Sequence, residues 1–314
     1  MDAPRAPGSV ALIMSDTPVI VEAAVNGVTQ KARNPHVPVS PGEIATDALA
    51  CLERGAAIVH NHVDVMMVPP AETAARQAEG WLPILQKRPD ALLYPTIGVG
   101  GTAEERFGHI PLLVESTGLR VSILDPGSVN LGAIGDDGLP GGAVDFVYAN
   151  DYALIRHAVD LCDRHRLGPS IACFEPGFVR TVLAYQRAGR LPAGAFVKLY
   201  FGGDFDYLGG KPGGASFGLP PTEKALDAYL EMLAGSGLAW AVAVVGGDVV
   251  ETGMARRALE RGGHVRVGLE DYAGGRTPSN VELVEEVVAL AQSLGREPAS
   301  PSETAEILGI RAAA

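Results

Sequence analysis

Short, continuous apolar runs alternate along the chain with longer amphipathic stretches. Runs of this length that are rich in β-branched residues are typical of strands buried on both faces of a parallel sheet. The pattern predicts eight such strands, at residues 19–25, 56–63, 92–97, 119–124, 170–174, 196–201, 240–245 and 264–269.

Helical spacing of apolar residues marks most of the segments between these strands. Gly55 and Gly168 end the first two stretches, and Ser279 with Glu282 has the spacing of a capping box at the start of a later one. The pattern predicts helices at residues 43–54, 151–166, 222–233, 249–261 and 281–294, followed by a short helix at 302–308.

The order of these elements predicts the fold class. Eight strand–helix units at a spacing of about 35 residues match an α/β fold of the (β/α)8 TIM-barrel type better than a doubly wound sheet with a second domain. No Ser-rich or Pro-rich linker divides the 314 residues. We therefore expect one domain over residues 1–314, with a barrel core at 18–296, an N-terminal extension before Pro18 and a C-terminal helix.

Charge and cysteine content narrow the function classes. The formal net charge of −12 argues against nucleic acid and anionic membranes as partners, whereas an anionic small molecule stays compatible because a metal ion and a few arginines reverse the local field. Cys51, Cys162 and Cys173 lie far apart and are expected to be reduced, apolar residues. No signal-peptide pattern and no apolar run of about 18 residues is present, so we expect a cytoplasmic protein.

A His-x-His pair, His60 and His62, closes the second apolar run. Residues i and i+2 of a strand point to the same face and lie about 6.6 Å apart, so two imidazoles there can bind one metal ion. The spacing alone is a weak indication, since many exposed His-x-His pairs bind nothing.

Glu270 and Asp271 follow the eighth apolar run and strengthen the metal hypothesis. A TIM barrel carries its active site at the C-terminal ends of its strands, and strands two and eight both flank strand one, about 9.6 Å apart. His60, His62 and Glu270 are therefore expected to reach one ion. Three protein ligands with an open position are typical of a catalytic zinc site. On a regular strand, Glu270 and Asp271 point to opposite faces.

Five stretches of sequence carry a family resemblance. They are residues 24–27, 34–44, 55–62, 125–130 and 263–271, of which the last is the most specific. On these stretches the chain resembles the β-keto acid cleavage enzyme family, which includes 3-keto-5-aminohexanoate cleavage enzyme, over roughly residues 19–312. Members are zinc-dependent barrels that condense a β-keto acid with acetyl-CoA and release acetoacetate and a new CoA ester.

The resemblance implies roles for particular residues. It places Zn²⁺, or another divalent metal, on His60, His62 and Glu270, with Asp271 as the base and Arg266 as its partner. A metal that chelates the keto and carboxylate oxygens stabilises enolate-like species, and a guanidinium holds a neighbouring carboxylate ionised. The resemblance also implies acetyl-CoA as co-substrate and a homo-oligomer, either a dimer or a tetramer.

The position of Arg266 leaves three structural alternatives open. On a straight strand it lies about 13 Å deeper than Glu270. Either the strand ends near Gly268 and the chain turns upward, or Arg266 reaches up from below, or it forms an ion pair at the barrel bottom.

Further candidate residues lie at the other strand ends. Glu175 is a third candidate catalytic residue beside Asp271 and Arg266, although an acid at a strand end can also simply cap the following helix. Lys198 precedes a long loop at 202–220 and suits contact with CoA phosphates, or lies on the surface. The candidate substrate-binding residues are Asn26, Thr96, Gly98, Asp125, Ser128 and Lys198. Thr96 and Gly98 can also belong to a plain turn, and Asp125 can also cap the following helix.

The chain departs from the family pattern at three places. Family members commonly continue the second strand as His-x-His-x-Arg-Asp, whereas here Asp64 stands at the position of that arginine and an apolar loop, residues 65–68, follows. Ala172 occupies the position of a usual acid, and Glu175 stands where an aspartate is usual. Loss of the arginine predicts a substrate tail without an extra carboxylate, and the apolar loop predicts an apolar wall near the metal.

Two other functions remain open from sequence. The first is a metal-dependent hydrolase or aldolase on the same barrel that works without CoA. The second is a non-catalytic barrel that binds carboxylates. Turnover that depends on acetyl-CoA distinguishes the acyltransferase from both.

Overall fold

The computed structural model describes residues 17–65, 67–207, 210–215 and 217–313. The predicted N-terminal extension, residues 1–16, lies outside this range. The strands are β1 (Val21–Ala24), β2 (Ile58–Asn61), β3 (Leu92–Pro95), β4 (Val121–Leu124), β5 (Val129–Ile134), β6 (Pro140–Tyr148), β7 (Gly168–Cys173), β8 (Phe196–Gly202), β9 (Ala239–Val245) and β10 (His264–Val267). The helices are α1 (Pro41–Glu53), α2 (Pro70–Lys87), α3 (Ala103–Phe107), α4 (His109–Thr117), α5 (Tyr152–His165), α6 (Pro176–Arg187), α7 (Glu223–Leu233), α8 (Met254–Glu260), α9 (Asn280–Ser293) and α10 (Pro301–Leu308).

Eight parallel strands form a nearly closed barrel with helices between them. Their order is β3-β2-β1-β10-β9-β8-β7-β4, and the two end strands, β3 and β4, lie against each other. The TIM-barrel prediction is confirmed. As predicted, β1 lies between β2 and β10, with Ala24 paired to His60 and Glu22 paired to Arg266.

The strands are buried on both faces because the helices cover the outside and side chains fill the inside. Val21, Ile58 and Leu92 each expose at most 1% of their surface. Burial of an aliphatic side chain of this size contributes about 1.5–3 kcal/mol. The barrel interior also holds polar side chains, among them those of Glu22, Tyr94, Lys198 and Arg266, which belong to the candidate site.

Helix starts follow the capping chemistry of the sequence. Ser279 and Glu282 form the predicted capping box at α9, and Ser40 with Glu43 forms another at α1. The helix predicted at 249–261 is shorter and begins at Met254, because Asp248 Oδ1 accepts from the backbone of Val250 and Glu251 and holds a turn there. No helix in the described ranges is long and apolar enough to span a membrane.

Two further differences from the predicted elements affect the site. Residues 129–148 form a two-stranded antiparallel hairpin, β5–β6, that the apolar pattern does not predict. The eighth barrel strand ends at Val267 instead of residue 269. Gly268 has φ +140°, and a Cβ there would lie 2.1 Å from Ala24 O, so the close approach of β1 requires glycine at this turn.

Candidate metal centre and active site

Three predicted metal ligands converge at the C-terminal ends of β2 and β10. His60 Nε2 lies 3.2 Å from Glu270 Oε2, and His62 Nε2 lies 3.5 Å from Glu270 Oε1. One ligand atom from each residue lies within 4.8 Å of the others. His60 is the third residue of β2 and His62 follows its last residue, so the spacing of two places both rings on one side, as the sequence predicts.

The protonation of His60 leaves a lone pair facing this centre. Its Nδ1 lies 3.1 Å from Tyr94 O, and because a carbonyl oxygen only accepts, Nδ1 carries the ring proton. Burial lowers the pKa of His60 to about 3, so the ring is neutral. The Nε2 lone pair therefore points at Glu270 Oε2, a buried carboxylate oxygen without a hydrogen-bond partner.

These residues fit a divalent metal ion. A carboxylate oxygen and an imidazole lone pair that face each other repel unless a cation lies between them. Ligand atoms placed tetrahedrally at about 2.0 Å from one ion are roughly 3.3 Å apart, close to the separations between the histidines and Glu270. Two histidines and one carboxylate form a ligand set typical of catalytic zinc sites, in which a further position stays open for substrate.

Arg266 connects this centre to Asp271. Arg266 Nε and Nη2 donate to Asp271 Oδ2 and Oδ1 at 2.7 and 3.0 Å, which is a bidentate ion pair. Arg266 Nη2 also lies 3.0 Å from Glu270 Oε1, and Nη1 donates to Glu22 Oε1 at 2.9 Å. Burial raises the pKa of Asp271; Arg266 opposes this change, and the neighbouring charge of Glu270 adds to it.

The backbone turn after β10 explains how Arg266 reaches both acids. Because the strand ends at Val267 and the chain turns at Gly268, Asp271 folds back over Arg266. This is the first of the three alternatives open from sequence. Glu270 and Asp271 were expected to point to opposite faces if the strand stays regular, but the strand ends at Val267 and both carboxylates contact the same guanidinium.

Two buried residues that were not predicted from the sequence, Tyr94 and Glu22, complete the network around Arg266. Tyr94 OH donates to Glu22 Oε1 and accepts from Lys198 Nζ at 2.6 Å and from Arg266 Nη1 at 3.0 Å. The Tyr94 ring also stacks on His60, with ring centroids 4.4 Å apart. A charged Glu22 inside the apolar first strand was the signal in the sequence that indicated an internal ion pair.

Lys198 lies inside the barrel and is only 1% exposed. Its Nζ lies 3.2 Å from Glu22 Oε1, and burial lowers the pKa of the ammonium group, while Glu22 opposes that change. The alternative that Lys198 lies on the surface is therefore wrong. A contact with CoA phosphates does not match these partners, so Lys198 serves as a counter-ion of Glu22.

Asn26 holds the backbone of His62. Its Oδ1 accepts from His62 N at 2.8 Å, and its Nδ2 donates to His62 O at 3.0 Å. The next residue, Gly27, has φ +54°, and a Cβ there would lie 2.3 Å from Glu270 Cγ. The structure thus places Asn26 behind a candidate metal ligand, and its predicted contact with substrate stays a prediction.

The candidate residues after β4 connect to the hairpin. Tyr148 OH donates to Asp125 Oδ2, and Asp125 Oδ1 is buried without a hydrogen-bond partner. Burial raises the pKa of Asp125, although this hydrogen bond opposes the change. Ser128 Oγ accepts from Asn150 N at 2.8 Å, so it ties the two ends of the hairpin segment together.

Three other candidates make mainly structural contacts in this structure. Thr96 O lies 2.9 Å from His109 Nε2. Gly98 packs so closely on α3 that a Cβ would lie 2.1 Å from Glu105 O. Glu175 is the residue before α6, but its Oε1 accepts from Gly218 N at 2.9 Å instead of capping the helix, and so anchors the long loop after β8.

An apolar cluster borders the site. It contains Ala172, one of the positions at which the chain departs from the family pattern. The buried members of this cluster are Leu131, Ala172, Tyr200, Phe217, Ala243 and Val245. Tyr200 joins the cluster to the polar network, since the Arg266 guanidinium lies 5.4 Å from its ring centroid. At the departure on the second strand, Asp64 forms an ion pair with Arg76 at 2.6 Å. In the apolar loop that follows, Met66 lies outside the described residues.

Comparison with known proteins decides the family. The model of the β-keto acid cleavage enzyme family matches residues 18–310. The chain belongs to this family. It is 31% identical to a 3-keto-5-aminohexanoate cleavage enzyme of Fusobacterium nucleatum over 301 residues, which cover 93% of this chain and 98% of the relative.

A second relative and a solved structure extend the comparison. The chain is 28% identical to a 3-oxoadipate:acetyl-CoA acetyltransferase of Cupriavidus necator, over 93% of this chain and 95% of the relative. Its fold matches the structure described as a ternary complex of ObcA with a C4-CoA adduct and oxalate, with a TM-score of 0.64 and 17% identity over 89% of this chain and 68% of that one. The chain is therefore an enzyme of this family, and its barrel fold is similar to that of ObcA.

Proposed function

We propose that this enzyme condenses a β-keto acid with acetyl-CoA and yields acetoacetate and a new CoA ester. One observation carries the proposal: His60, His62 and Glu270 lie close enough together to hold a metal ion, beside an Asp271 that Arg266 holds in a bidentate ion pair. The relatives named as acetyl-CoA transferases of β-keto acids support the reaction type.

Asp271 is the group that moves the proton. Carbon 2 of a β-keto acid lies between a ketone and a carboxylate, and its C–H bond is acidic once charge is withdrawn from those oxygens. Burial raises the pKa of Asp271, which makes the carboxylate a better proton acceptor, and the bidentate contact with Arg266 fixes its direction. Zn²⁺ or another divalent ion held by His60, His62 and Glu270 supplies the charge withdrawal when bound.

The remaining bond changes balance without a further reactant. Carbon 2 attacks the acetyl carbonyl, the carbon–sulfur bond breaks and the CoA thiolate leaves. The thiolate then attacks the original keto carbon, and the bond between carbons 2 and 3 breaks. Carbon 2 leaves with the transferred acetyl group as acetoacetate after it takes the proton back from Asp271, and the tail leaves as a CoA ester.

The substrate tail is uncharged and apolar in this proposal. Ala172 and its apolar neighbours, including Tyr200 and Phe217, border the site where relatives commonly carry an acid. Asp64 stands at the position of the usual arginine and pairs with Arg76, so no cation from this position faces the substrate. A second carboxylate on the tail would find no partner at either place.

The proposal includes a cytoplasmic homo-oligomer. The hairpin exposes Leu139, Phe146 and Val147 by 62%, 46% and 63%, and a second copy of the chain would cover such apolar surface. Light scattering of the purified protein at micromolar concentration should give at least a dimer. A particle of 32.6 kDa, the mass of one chain, would contradict this part of the proposal.

Product analysis with and without acetyl-CoA tests the proposed reaction. Purified enzyme loaded with Zn²⁺ is mixed with 3-oxohexanoate, and acetoacetate and butanoyl-CoA are measured by mass spectrometry. We expect both products in equal amounts and only with acetyl-CoA, and carbon-13 in the acetyl group should appear in acetoacetate. Turnover of the keto acid without CoA would instead identify a hydrolase or aldolase.

A further inference from the structure

Two side chains outside the metal ligands hold the backbone of Leu269, the residue before Glu270. Asn280 Oδ1 accepts from Leu269 N at 2.8 Å, and Thr29 Oγ1 donates to Leu269 O at 2.7 Å. Both backbone polar groups of Leu269 are thus satisfied by side chains from distant parts of the sequence. Leu269 follows the Gly268 turn and lies beyond the end of the β10 ladder, so the strand itself does not set its position.

Asn280 also connects this turn to β1. The side chain is fully buried at the start of α9, and its Nδ2 donates to Val25 O at 2.8 Å and to Asp47 Oδ2 at 2.7 Å. Val25 N in turn donates to His60 O at 2.9 Å, which ties the end of β1 to β2. The residue after Val25 is Asn26, which holds His62, so the end of β1 is the common support of all three metal ligands.

We propose that Asn280 and Thr29 are positioning residues of the metal centre. They set the backbone from which Glu270 reaches His60 and His62, and neither touches the ligand atoms. This inference rests on the proposed metal site. Outer contacts that orient metal ligands typically change metal affinity by about 10- to 100-fold when they are removed.

Thr29→Val is the sharpest variant because it keeps the shape of the side chain and removes the hydroxyl, which donates to Leu269 O and accepts from Arg33 Nη2 at 2.6 Å. We expect Thr29→Val to weaken Zn²⁺ binding to the metal-stripped protein by about 10-fold or more, and Thr29→Ser, which keeps the hydroxyl, to restore it. Competition with a chromophoric zinc chelator measures the dissociation constant without any assay of turnover.

Thr117→Val is the matched control. Thr117 Oγ1 donates to Leu113 O at 2.7 Å within α4, so this variant deletes the same kind of hydrogen bond away from the site. We expect its zinc affinity to equal that of the wild type, while thermal unfolding of both metal-free variants shows a loss of stability. An equal loss of affinity in both variants would assign the effect to general destabilisation and overturn the inference.

Asn280→Ala and His60→Ala complete the experiment. Asn280→Ala should weaken zinc binding at least as much as Thr29→Val; if it does not fold, the Thr29 variants decide alone. His60→Ala distinguishes a failure of the positioning role from a failure of the metal site. If Thr29→Val keeps its zinc affinity and His60→Ala loses zinc binding, the positioning role is overturned and the proposed function stands. If His60→Ala keeps its zinc affinity, the metal site itself is overturned.

Discussion

Arg266 and Asp271 form a buried bidentate ion pair, with Nε–Oδ2 and Nη2–Oδ1 distances of 2.7 and 3.0 Å. The same guanidinium lies within 3.0 Å of carboxylate oxygens of Glu22 and Glu270. One arginine therefore contacts three buried acids, and it fixes the position of Asp271, the proposed proton acceptor, relative to Glu270, the proposed metal ligand.

Arg266→Ala should lower both turnover and stability. Removal of the guanidinium leaves three buried carboxylates with fewer partners, so the free energy of unfolding should fall by about 3–5 kcal/mol in urea denaturation. Arg190→Ala is the control, because its ion pair with Asp160 is exposed and should contribute at most about 1 kcal/mol. Wild-type stability of Arg266→Ala would show that the acids are not held by this residue.

Tyr94→Phe tests the hydroxyl that joins Glu22, Lys198 and Arg266. We expect a loss of about 1–3 kcal/mol in stability, because buried groups lose a partner, and a lower kcat with unchanged zinc content, because His60 bonds the backbone carbonyl of residue 94. Tyr229→Phe is a matched control: its hydroxyl is buried without a hydrogen-bond partner, so its removal should cost little. Equal denaturation curves for the two variants would refute the role of Tyr94.

Asp47 should give the protein a pH-dependent stability. Burial raises the pKa of Asp47 to about 6, although its hydrogen bond from Asn280 opposes this change. Because the unfolded chain loses this proton first, stability should fall as the pH rises from about 4 to about 6 and stay lower above that range. Asp47→Asn should remove this part of the slope and stabilise the protein by about 1–3 kcal/mol at pH 7. An unchanged pH profile in urea denaturation would contradict the shift.

Substrate preference should follow the charge of the tail. We expect kcat/KM for 3-oxohexanoate to exceed that for 3-oxoadipate by at least about 10-fold, since burying an unpaired carboxylate beside the apolar cluster costs several kcal/mol. Initial rates of CoA ester formation with the two acids measure the ratio. Faster turnover of the dicarboxylic acid would show that a cation outside the two departure positions binds the tail.

The barrel and the convergence of the candidate metal ligands could be predicted from patterns within single strands and from the known strand order of a barrel. Continuous apolar runs report strands buried on both faces, and His60 with His62 reports one face of a strand whatever surrounds it. Glu270 could be placed with them because strand order in a TIM barrel is fixed, so that β2 and β10 both flank β1.

Other features depend on contacts that the linear pattern does not carry. The turn at Gly268 arises from the close approach of Ala24 O, a residue far away in the sequence, and it brings both acids onto Arg266. Tyr94 resembles an ordinary core aromatic in an apolar run, and only the fold shows its hydroxyl among three charged groups. The hairpin β5–β6 was missed because glycine and proline interrupt its apolar residues, and because most of the described β6 side chains are exposed and so lack the pattern of a buried strand.

Zinc analysis of two neighbouring variants tests the central claim most directly. Glu270→Gln and Asp271→Asn each replace one carboxylate by an amide of the same shape, and the purified proteins are compared by elemental analysis and by acetoacetate formation. We predict that Glu270→Gln loses zinc and activity together, whereas Asp271→Asn keeps zinc and loses about 10²- to 10⁴-fold in turnover, because an amide cannot accept the proton. Full zinc in Glu270→Gln with zinc lost from Asp271→Asn would contradict the assigned roles.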